Sequence, residues 1–83
     1  MKTKPKAFYW QEEGKVSVQI SFNPCLEDSV KESFTDWNIS ASGYDADNKT
    51  NILIFTKTID NSEKIADIIR RLENKSFLIE EAI

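Results

Sequence analysis

The chain has 83 residues, 40% of them apolar, with a formal net charge of −3 at pH 7, one cysteine and no histidine. A chain this short buries only about 60% of its unfolded surface, which supports one modest core and excludes a second domain. The missing histidine excludes a Ser/His or Cys/His nucleophile–base pair, and a lone cysteine excludes an internal disulfide.

Residues 1–6 read as a polar, flexible N-terminus, and residues 7–83 as a single domain. The lysines at the start have the charge of a secretion-signal n-region, but no apolar segment follows them. Together with the single cysteine, this points to a reducing, cytoplasmic setting. No run approaches the roughly 20 apolar residues of a membrane span.

Residues 7–11 hold Phe8, Tyr9 and Trp10 in succession, residue types that favour strands. Glu12-Glu13-Gly14-Lys15 follows as a hairpin turn, with Gly14 supplying a positive φ. Residues 15–22 alternate: Val16, Val18, Ile20 and Phe22 share one face, and Ser17, Gln19 and Ser21 the other. That is the pattern of a half-buried antiparallel strand.

Asn23-Pro24 ends this strand and opens a helix, with asparagine as cap and proline at the first helical position. Leu26, Val30, Phe34 and Trp37 then predict one apolar stripe, with Glu27, Asp28 and Glu32 pointing elsewhere. Residues 37–44 predict a weak strand, residues 45–48 a polar turn, and residues 50–59 a strong strand. In that strand Ile52 and Ile54 lie opposite Leu53 and Phe55, as in a central strand. Asp60 and Glu63 fit a capping box for a helix whose stripe is Ile65, Ile68, Ile69 and Leu72, ending near Asn74. Residues 77–79 are apolar enough for a short last strand.

The expected fold is α+β: a four- or five-stranded, mostly antiparallel sheet with two helices on one face, in the order ββαββα with an optional final β. An alternative leaves the N-terminal segment out of the sheet. Residues 15–83 then read βαββαβ, the ferredoxin-like order, which resembles an ACT-type regulatory domain. The resemblance implies a dimeric small-ligand sensor. Such domains usually carry an Asp-x-Pro-Gly-like loop after the first strand, where this chain has Asn23-Pro24-Cys25-Leu26. The hairpin order is the one adopted here, because its turn and strand signals are both good.

The charge is uneven. Residues 16–47 carry Glu27, Asp28, Glu32, Asp36, Asp45 and Asp47 against Lys31 alone, whereas residues 48–83 carry six charges of each sign. Such a segment repels phosphate backbones, so nucleic acid is not expected as a partner. A protein with a basic surface is the electrostatic complement. Two glycines form no phosphate-cradling loop, Asp45 and Asp47 lack the further ligands of a calcium loop, and no cofactor or metal is expected. At least one ring of Phe8-Tyr9-Trp10 must face away from the core, and tyrosine and tryptophan are frequent binding anchors. The expected function is that of a small non-enzymatic protein-binding module of the inhibitor, antitoxin or immunity type. Its expected contact residues are Tyr9, Trp10, Glu27, Asp28, Glu32 and Asp36. The alternatives are the ligand-sensing domain and an accessory or structural subunit. Homodimerisation is compatible with each of them.

Overall fold

A computed structural model describes residues 6–59, 65–74 and 77–81. The expected α+β architecture is present. Its strands are β1 (Lys6–Glu12), β2 (Lys15–Phe22), β3 (Asn38–Asp45), β4 (Thr50–Thr58) and β5 (Leu78–Glu81). The helices are α1 (Glu27–Ser33) and α2 (Ile65–Asn74). The five strands form one sheet in the order β3-β4-β2-β1-β5, antiparallel throughout except for the parallel pair β1–β5.

Lys6, expected in the frayed end, already pairs with Ser21 and Leu78. The hairpin order is therefore the one the chain adopts, and the βαββαβ reading with β1 outside the sheet is not. β1 lies directly beside β2, with Tyr9 opposite Val18, and β5 joins β1's outer edge. The turn between β1 and β2 holds Gly14 at φ 73°, a conformation that costs glycine nothing and other residues strain. The Gly14 carbonyl also accepts the Ile59 amide at 2.8 Å, tying the hairpin to the end of β4.

Register sorts the side chains into two faces. Ala7, Val16, Val18, Ile20, Phe22, Leu53 and Phe55 are buried on the face that carries the helices. Val30 and Phe34 from the α1 region, Ile68 and Leu72 from α2, and Phe77 close the core over them. Phe34 is the centre of this packing. Its ring stacks on Phe55 at 4.2 Å, meets Trp37 edge-on at 5.4 Å and tilts against Phe77 at 5.5 Å.

The first helix differs from its expected stripe. Asn23 does cap, its Oδ1 accepting the Cys25 amide at 3.1 Å, but Pro24–Leu26 form a 3₁₀ turn. Three residues per turn shift the phase of Leu26 relative to the α-helix that follows, and Leu26 remains exposed. Trp37 packs against the core from the turn beyond the helix. The predicted capping box at Asp60 and Glu63 lies outside the described residues.

The β3–β4 turn is residues 46–49. Asp45 stabilises it: its carboxylate accepts the backbone amides of Asp47 and Asn48 and the Asn48 side-chain amide, the last at 2.8 Å. Lys49 closes the turn at φ 55°, unusual for a residue with a side chain. β3 contains an irregularity between Ile39 and Ala41. There the Ser40 hydroxyl donates to the Ile54 carbonyl at 3.2 Å and accepts from Thr56 at 3.1 Å. With its only proton given to Ser40, Thr56 accepts from Ser17, which is buried, at 3.1 Å. A chain of three hydroxyls thus crosses β2, β4 and β3 and holds the bulge in place.

Candidate functional site

Of the six expected contact residues, Trp10 lies on one side of the sheet, and Tyr9 and the four acids lie on the other. In the aromatic run, Tyr9 shares the helix face with Val18, whereas Phe8 and Trp10 lie opposite Gln19 and Ser17 on the other face. Tyr9 is half-buried against the core, and its hydroxyl donates to Glu81 at 3.2 Å. Burial and, next, the bond to Glu81 push its pKa above the usual tyrosine value. It serves as a tether between β1 and β5. Trp10 is half-buried on the face without helices, in a row with Ser17 and Thr56. Phe8 lies in the next row with Gln19 and Ile54, under the Lys6 ammonium at 5.6 Å.

The acidic residues are on the helix side, as Tyr9 is. One residue advances 100° around an α-helix, so Val30 and Phe34 face the sheet while Asp28 and Glu32 face outward. Both are exposed, as is Asp36 in the following turn. Glu27 occupies a flank and is half-buried, accepting from the Asn51 side chain at 3.0 Å and from Lys31 at 3.4 Å. The opposite flank, at Ser33, borders a cavity of about 80 Å³ shared with Ile68, Arg71 and Leu72 of α2. Room for a few waters is far below the about 300–1,000 Å³ of small-molecule sites. The Glu27 flank is therefore the one turned away from α2.

The bond from Asn51 to Glu27 brings the start of α1 to the end of the β3–β4 hairpin, since Asn51 pairs with Tyr44. Sequence reasoning did not anticipate this contact, because it joins residues 24 positions apart. Hydrogen bonds, first that from the Asn48 side chain, hold Asp45 below the usual carboxylate range, so the turn keeps its charge in mild acid. Exposed large apolar side chains lie on the same side: Leu26 at 37%, Ile39 at 49% and Tyr44 at 58%. They were not among the expected contact residues.

Cys25 is exposed in the 3₁₀ turn. Among the described residues no three histidine, cysteine or carboxylate side chains are grouped to hold a metal ion. Nor is any helix among them long and apolar enough to cross a membrane. Comparison with protein-family models, curated proteins and solved structures finds no match.

Proposed function

We propose that this chain is a small protein-binding module that acts by covering part of a partner's surface, as inhibitors and immunity-type proteins do, and that the partner presents a basic patch. The observation that carries this reading is the exposure of Asp28, Glu32 and Asp36 on and after α1. The nearest cation in sequence, Lys31, is engaged by Glu27. Exposed carboxylates gathered on and just after one helix create a directional field that speeds encounter with a positive surface and rejects a negative one. Glu27 belongs to the scaffold of this surface, since it ties α1 to Asn51. Trp10, across the sheet from α1, is outside it.

The test is affinity capture from native lysate with wild-type protein and with the triple variant Asp28→Lys, Glu32→Lys, Asp36→Lys, which spares Glu27. A stoichiometric protein should bind wild type, dissociate as salt rises and be lost with the variant. Equal capture by both proteins contradicts the reading. So does the absence of any stoichiometric partner together with a homodimer stabilised by a metabolite.

A further inference from the structure

The sheet has two edges, and they are unlike. β5 is four residues long and carries Glu80 and Glu81, a short, charged edge of the kind that resists strand addition. β3 is eight residues long and has neither proline nor a charged side chain from Asn38 to Tyr44. Its bulge lies at Ser40, which leaves residues 41–45 as a regular pairing surface. Every residue from Asn38 to Tyr44 is exposed.

Side chains beside this edge extend the surface. Ile39, Ser42 and Tyr44 are in register with Phe55, Leu53 and Asn51, so they belong to the helix face. Phe34, just past α1, stacks on Phe55 and Glu27 accepts from Asn51, whereas Ile39, Ser42 and Tyr44 beside them stay exposed. The result is a shelf with β3 as floor and the Glu27 flank of α1 as wall. From residue 27 to residue 49 the chain carries six acids against Lys31 and Lys49. Asp36 lies near one end of β3, and Asp45 and Asp47 at the other.

We propose that β3 is the docking edge: a partner protein adds an extended segment to it as a sixth strand, with apolar side chains on Ile39 and Tyr44 and lysine or arginine facing the acids at its ends. Main-chain hydrogen bonds supply such pairing and side chains alternate between shelf and solvent, so an alternating basic–apolar segment fits. A second copy of this chain would bring the same acids against themselves. This assignment rests on the protein-binding reading above and names its mode.

The probe is a short synthetic peptide alternating valine with lysine and arginine, compared with its glutamate counterpart and with a version interrupted by proline. Amide hydrogen exchange of the intact protein is the readout. Saturating basic peptide should slow exchange by about tenfold or more at amides within residues 41–45, and the other two peptides should not. Ile39→Lys with Tyr44→Lys, both at exposed positions, should weaken the peptide by about tenfold. Protection confined to other strands, equal binding of the glutamate peptide, or no binding overturns the assignment. So does a peptide-free dimer already protected along β3. If the Ile39/Tyr44 double variant still captures the lysate partner while the Asp28/Glu32/Asp36 variant does not, the docking edge is wrong and the protein-binding reading stands.

Discussion

Three turn and edge positions show how single residues are fitted to this backbone. Gly14 has φ 73°, so alanine there should cost about 1 kcal/mol although the space is open. Gly43 lies in β3 with ordinary φ, and an added Cβ would meet nothing within 4 Å. Threonine at 43 should therefore stabilise by about 0.5–1 kcal/mol, by restricting the unfolded chain and favouring the strand. Urea titration of both variants checks the opposite signs. Asp45 provides a pH test. Its folded pKa is depressed, so its contribution is fully present above the unfolded value near about pH 4 and is lost as pH falls through the lower folded value. Asp45→Asn should be less stable than wild type at pH 7, and the difference should shrink as pH is lowered from 5 to 2.

Among the elements, α1 shows how little helix is needed to close the core. It has seven residues, and its main buried contribution comes from Val30 and from Phe34 just past its end. Phe34→Ala should lower stability by about 3–5 kcal/mol, a large part of the roughly 5–15 kcal/mol typical of a domain. On the helix-less face the hydroxyl chain links β2, β4 and β3 at the bulge. Thr56→Val would leave the buried Ser17 hydroxyl without its acceptor and should cost about 1–2 kcal/mol. Ser40→Ala, at an exposed position, should cost less. Chemical denaturation of the two variants ranks them. The period-two pattern of β2 and the apolar spacing of α2 made these elements readable from sequence, because each buries one face. Leu26 misled because a 3₁₀ turn is invisible to an α-helical count. The bulge and its hydroxyls were unreadable, since Ser17, Ser40 and Thr56 look like ordinary solvent-face residues until register aligns them.

For the whole molecule, sequence implied two helices over a mostly antiparallel sheet, but it could not say which edge the last strand would join. That choice follows from long-range pairing: β1 occupies the position beside β2, and β5 pairs outside it, in parallel. The same arrangement splits the expected contact residues. A strand's alternation separates Tyr9 from Trp10, and the helix layer places Asp28, Glu32 and Asp36 across the sheet from Trp10. What sequence did make legible was the acidic stretch itself. What it did not show is the Glu27–Asn51 contact that links α1 to the β3–β4 hairpin. The central claim is that a basic partner binds this side. Hydroxyl-radical footprinting of the purified complex tests it most directly. Ile39 and Tyr44 should be protected from oxidation while Phe8 and Trp10 stay as reactive as in the free protein; protection of Phe8 and Trp10 with Ile39 and Tyr44 unchanged would contradict it.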